Sequence, residues 1–133
     1  MTDVGTAIAY LLDSHGYGDA GVTIFANSRP STPHALIACT QYGGQSPTMP
    51  MGGGTPTVVS PNLQLVVRGN LNEDFDVVYD RIYGIWLYLA GLLDVTLQGE
   101  RYLHITPIDL PALMLKDDQE RLLFVANFNI IKE

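Results

Sequence analysis

Residues 71–93 read LNEDFDVVYDRIYGIWLYLAGLL, and the fold is decided there. Apolar residues fall at Leu71, Phe75, Val78, Ile82, Ile85, Leu89 and Leu92, alternately four and three apart. That spacing lays one stripe along a helix over 72–93. Asn72 is placed to cap it, and Glu73, Asp74 and Asp76 put negative charge at the positive end of the helix dipole. A helix of that length spans about 33 Å. From Ile82 to Leu93 the sequence is apolar almost all round, yet shorter than the roughly 20 residues that cross a membrane. The surplus around Trp86, Leu87 and Tyr88 therefore calls for a second layer of the domain or a second copy of the chain.

Outward from this helix, 133 residues make one domain, long enough to bury a core without a disulfide or metal. The single cysteine, Cys39, excludes an intrachain disulfide, and the first residues show no signal peptide. The net charge is −7 with only seven scattered basic residues, which argues against direct binding of DNA or RNA. Such a surface still suits a channel through which DNA slides without adhering.

A short helix is expected over 3–15, capped by Thr2 or Asp3 and stopped at Gly16. Strands follow at 22–26, 35–40 and 63–68. Between the last two lies a long Pro/Gly loop, 43–61, with glycines at 43, 44, 52, 53 and 54 and prolines at 47, 50, 56 and 61. A loop of that length in a compact domain is functional or mobile, and Met49 and Met51 are adaptable contact residues for a partner. After the long helix come a hairpin through Gln98-Gly99, a segment bracketed by Pro107 and Pro111, and a second hairpin closing on 122–131. The second face of that last strand, with Asn127 and Asn129, is only partly apolar. The order counted from this is α-β-β-β-α-β-β-β. It predicts an α+β fold, a mostly antiparallel mixed sheet with two helices packed on one face.

Chemistry is sparse. His15, His34 and His104 stand alone in their segments, and none has metal-ligand spacing. Cys39 reads as a small buried hydrophobe. Asp117, Asp118 and Glu120 share one turn, where Asp117 and Arg121 can pair locally, worth about 0.2–1 kcal/mol if exposed. The glycines at 52–54 lack the Gly-Lys-Ser/Thr ending of a phosphate loop, and no serine lies in a nucleophile elbow. No catalytic residue, cofactor site or metal site is expected.

Three features in order carry a family resemblance: the strand PNLQLVVRG at 61–69, the long helix with Tyr79, Ile82 and Leu87, and a hairpin with a proline-bearing segment. The chain then closes on Asp117-x-x-x-Arg121-x-x-Phe124-x-x-Asn127-Phe128. In this the sequence resembles the minor capsid or tail-terminator (tail-completion) family of long-tailed phages, closely over 60–133 and loosely before. The family's turn reads Gly-x-Asp-x-x-Gly-Arg, and this sequence has Leu115 and Glu120 in place of the glycines. The resemblance implies a virion structural protein of the tail or neck, made in the host cytoplasm. It implies a homo-oligomer, a hexameric ring that ends the tail tube and meets the head connector, with DNA passing through the lumen and no membrane contact. Trp86, Leu87 and Tyr88, or the outer face of the last strand with Asn127 and Asn129, are then the expected subunit contacts. A head-completion or stopper protein of the neck is the neighbouring reading. A small-molecule binding module, with 43–61 as its lid and Cys39, Tyr42 and His104 lining a pocket, is the reading from another class.

Overall fold

The computed structural model describes residues 3–45 and 58–133. Helix α1 (Val4–Ser14) opens the chain, capped by the Asp3 carboxylate, which accepts from the Thr6 N–H. Strands β1 (Ile24–Ala26), β2 (Leu36–Gln45) and β3 (Ser60–Arg68) follow, then helix α2 (Phe75–Ala90). Strands β4 (Leu93–Leu97), β5 (Glu100–Pro107), β6 (Ala112–Lys116) and β7 (Leu122–Lys132) complete it. Four strands follow α2 rather than the three counted from sequence, because both hairpins are complete.

All seven strands form one sheet. Its path runs β1-β2-β3-β7-β5-β4, with β6 also paired to β7. Every pairing is antiparallel except β1 with β2. Strand β7 is central. It is flanked by β3 on one side and on the other by β5 and β6 laid end to end, β5 along its second half and β6 along its first. The hairpin between β4 and β5 turns on Gln98 and Gly99, both at positive φ, as a two-residue turn matched to strand twist requires.

Both helices pack on one face of the sheet, as the sequence predicts. The core joins Ile8 and Leu12 of α1 and Val78, Ile82, Ile85 and Leu89 of α2 to Leu63, Leu65, Val67, Phe124 and Phe128. Helix α2 is shorter than expected, about 24 Å by the usual rise. Asn72 is not its cap. It lies in the preceding turn at φ 55, and Asp74 takes the N-cap position without a side-chain bond. Glu73 is spent otherwise, accepting from the Asn70 N–H and from Arg81. The buried stripe contracts accordingly to Val78, Ile82, Ile85 and Leu89, while Leu71 and Phe75 are exposed and Leu93 belongs to β4.

The expected loop 43–61 is narrower too. Residues 43–45 continue β2 and Ser60-Pro61 begin β3, so both strands run into the glycine- and proline-bearing stretch. A bulge between Tyr42 and Gly44 lets them do so. Gly44 holds φ +125, where a Cβ would collide with the backbone of Ser60 and Pro61. Pro61 stands where the β3–β7 ladder is interrupted, since it has no N–H to give: the register begins at Asn62, beyond which Val59 bridges Lys132. Met49 and Met51 lie outside the described residues.

The sheet's other face is divided. At one end Leu36, Ala38, Val66 and Leu123 form a small buried cluster. At the other, Tyr42, Ser60, Asn62, Asn127 and Asn129 make a polar carpet tied by side-chain hydrogen bonds. Two buried arginines hold the segment 30–34 at the apolar end. Arg68 donates from Nε to the His34 carbonyl at 2.8 Å, and from its terminal nitrogen to Pro30 and Pro33 at 2.6 and 2.7 Å. Arg121 donates to the Ser31 carbonyl at 2.7 Å.

Candidate assembly surface

Pro107 and Pro111 bracket a kink, as the sequence predicts, and it falls where β5 hands over to β6 along β7. The strand ladder would leave Asn127 unpaired at that gap. Asp109 closes it: its carboxylate accepts the Asn127 backbone N–H at 3.1 Å and the side-chain amide at 3.3 Å. The Ile108 N–H donates back to the Asn127 carbonyl at 2.9 Å. Helix α2 is tied to the same point, with the Trp86 indole N–H donating to the Asp109 carbonyl at 2.9 Å. Tyr42 reaches over β3 to the Asn127 side chain, and burial together with Asp109 raises its hydroxyl pKa.

Bridging the gap this way turns apolar side chains outward. Ile108, Leu110, Leu113, Met114 and Leu115 are all exposed, and every residue of β6 is exposed as well. Fourteen large hydrophobic side chains are exposed among the described residues, and five of them lie in this one run. Leu87, 51% exposed on α2, is next in sequence to the Trp86 that reaches Asp109. On the same helix Phe75, Tyr79, Tyr83 and Trp86 stack in succession, with centroids 5.7–6.0 Å apart. Phe75 and Tyr79 meet Phe124 edge-on at the start of the ladder.

The predicted contact residues thus take different positions. Trp86 lies beside the apolar edge through its bond to Asp109, and Leu87 is exposed on α2. Tyr88 turns away and stacks on His15 at 3.9 Å and beside Tyr17, so its ring is used within the subunit. Asn127 and Asn129 are half-buried in the polar carpet, their amides engaged with Asp109, Ser60 and Asn62.

Asp117 and Arg121 do pair across the turn, and the pair is largely buried rather than exposed. The two side chains are 17% and 4% exposed, with Nε 2.8 Å from the carboxylate. Asp117 also accepts the backbone N–H groups of Gln119 and Arg121. Partial burial works to raise its pKa, but these donors outweigh it and hold the carboxyl below its ordinary value. Glu120, in the place of a family glycine, takes φ 63, the left-handed conformation that a glycine adopts without strain.

Cys39, Tyr42 and His104 do not line one pocket. Cys39 faces the helices, wholly buried, and burial pushes its thiol pKa to about 12. Tyr42 is on the opposite face, and His104 lies three strands further along, bonded to Thr106 at 2.6 Å. Among the described residues no three His, Cys, Asp or Glu side chains group as metal ligands. No helix there is long and apolar enough to cross a membrane.

Sequence reasoning missed Arg68, Asp109 and the exposure of β6. The paired prolines were the one available signal for the second and third.

Comparison with known families agrees with the resemblance read from the sequence. Residues 11–133 match the family described as bacteriophage tail terminator protein. The match takes in the last turn of α1 and β1 to β3 as well as the part from residue 60 onward. No curated protein sequence matches the chain. The chain belongs to the bacteriophage tail terminator family and has a structural role in the phage tail.

Proposed function

We propose that this chain, folded as one tail-terminator-like domain over residues 1–133, assembles into a ring that caps the tail tube of a long-tailed phage and joins it to the head connector. The family match over 11–133 supports the location in the tail. The observation that carries assembly is the concentration of exposed apolar side chains at 108–115, beside Trp86. Exposed apolar side chains gathered on one edge strand and its approach mark a surface that another protein covers. A hexamer is the expected ring. The tail tube protein and the connector or stopper are its expected neighbours, with Met49 and Met51, Asn127 and Asn129 as further contact candidates.

The interior charge balance supports DNA passing through without binding. Arg68, Arg121 and Lys132 are buried, and Arg81, Arg101 and Lys116 are paired with carboxylates. Little positive charge remains outside to hold phosphates.

Negative-stain imaging of the purified protein, alone and mixed with tail tubes, tests the proposal. Rings, free or seated on tube ends, are expected. A protein that stays monomeric at high concentration and never decorates tubes refutes it.

A further inference from the structure

We infer that copies of this chain join edge to edge, the apolar ridge at 108–115 of one copy seating in the groove between α1 and β1 of the next. This rests on the ring reading above and specifies which two surfaces meet.

A closed ring is built from heterologous contacts, so the surface that docks and the surface that receives must be different patches. The sheet has two suitable ends. At one lies β6 with its exposed ridge. At the other lies β1, the terminal strand, beside α1. Between them, Thr6, Ala9 and Tyr10 of α1 and Ile24, Phe25 and Ala26 of β1 line a groove of about 290 Å³. Tyr10 and Val22 are exposed beside β1.

The two surfaces stand at the same height. Strand register places Leu113 opposite Phe124, Phe124 opposite Val67, Val67 opposite Ile37, and Ile37 opposite Ile24. Leu113 and Ile24 therefore occupy one row, at opposite ends of the sheet. The buried members of that row point to the helix-covered face, the side on which α1 walls the groove. Copies set side by side in the plane of the sheet bring ridge to groove without a vertical shift.

Charge favours the same pairing. Arg29, just beyond β1, is exposed and has no carboxylate partner among the described residues. Asp74, Asp76 and Asp80, on the first turns of α2 near Phe124 and the β6 side, are exposed and have no cation partner there. The contact is made by side chains rather than by strand addition. Pro111, the bulge between Leu113 and Leu115, and Lys116 are the devices that keep an edge strand from pairing with another.

Cysteine crosslinking tests this on the full chain, because Cys39 is buried and does not compete. Tyr10 and Leu110 are both exposed, so Tyr10→Cys with Leu110→Cys leaves the core intact. Under oxidation the double variant should give a covalent ladder ending at the ring's closed number, and each single variant should give none. A second pair, Tyr10→Cys with Leu113→Cys, guards against a poorly aligned first pair. Leu110→Asp should raise the concentration needed for assembly at least tenfold with unchanged circular dichroism. Rings that form while neither pair crosslinks, or dimers from Leu110→Cys alone, overturn the edge-to-edge contact and leave the ring reading standing. Absence of any assembly, with or without tail tubes, overturns both.

Discussion

Leu87 and Leu89 are two positions apart on α2 and should answer truncation in opposite ways. Leu89 is completely buried among the core side chains, whereas Leu87 is 51% exposed. Leu89→Ala removes buried methyl groups and leaves a cavity under the last turn of the helix. The chain cannot collapse freely there, because the Gly91 and Leu92 N–H groups already bond the Leu87 and Leu89 carbonyls. The expected loss is about 3 kcal/mol, within the range of about 2–5 for such sites. For a chain of this size that lowers the melting temperature by roughly 10 °C. Leu87→Ala should change stability by less than about 0.5 kcal/mol. It should instead weaken assembly. Urea unfolding gives the stabilities, and light scattering or sedimentation gives the assembly state. A near-zero cost for Leu89→Ala, or a larger cost for Leu87→Ala than for Leu89→Ala, would mean that the helix presents the wrong face to the sheet in this account.

Arg68→Met should cost about 3 kcal/mol, since three carbonyls at 30–34 lose a charged donor, and hydrogen exchange should accelerate at Leu36 to Ala38, next to that segment. Glu120→Gly should stabilise the turn by up to about 1 kcal/mol, because relief of the left-handed backbone outweighs the exposed Lys116–Glu120 pair; thermal unfolding reads it. Tyr102→Phe should be neutral or stabilising, as its buried hydroxyl has no hydrogen-bond partner among the described residues. Burial raises the Tyr102 pKa to about 12, so the unfolded chain ionises first and stability falls as pH rises above 10; the variant should lose that part of the alkaline decline. At the acid end, hydrogen bonds from Thr6 and Asn27 overcome the effect of burial and lower the Asp3 pKa, while Arg81 lowers that of Glu73. Both groups bind protons more readily when unfolded. Their stabilisation is complete above the ordinary values of 3.8 and 4.5 and is lost as pH falls through the depressed ones, so Glu73→Gln should flatten the acid limb of a pH–stability curve.

What the sequence disclosed, and what it hid, follows from the range of the interactions. The α2 stripe was legible because periodicity is a local signal, and Val78, Ile82, Ile85 and Leu89 are buried as it requires. Its start was misplaced because Asn72 and Asp74 both suit a cap, and the intervening Glu73 is held by Arg81, two turns away. The continuation of β2 into Gly43 and Gly44 was hidden because glycine ordinarily weakens a strand, and only the approach of Ser60 and Pro61 makes it necessary. The parallel pairing of β1 has no signature in a strand of three residues. Arg68 alternated correctly with its neighbours. Nothing in that alternation tells that carbonyls more than thirty residues earlier converge on it.

The candidate surface has the same origin. Apolar residues at 108–115 read as an ordinary strand and its approach, because inward and outward apolar residues look alike in sequence. They are exposed because β7 is too long for one partner on that side, so β5 and β6 must share it and the chain must pass from one to the other. Asp109 satisfies the backbone polar groups at the junction, a need of the subunit itself. The side chains beside it answer to no such need. Polar residues at Ile108, Leu110 and Met114 would fold as well, since each is already in contact with solvent. That they are apolar is therefore not a requirement of the fold, and under the proposed assembly it answers to the surface that covers them.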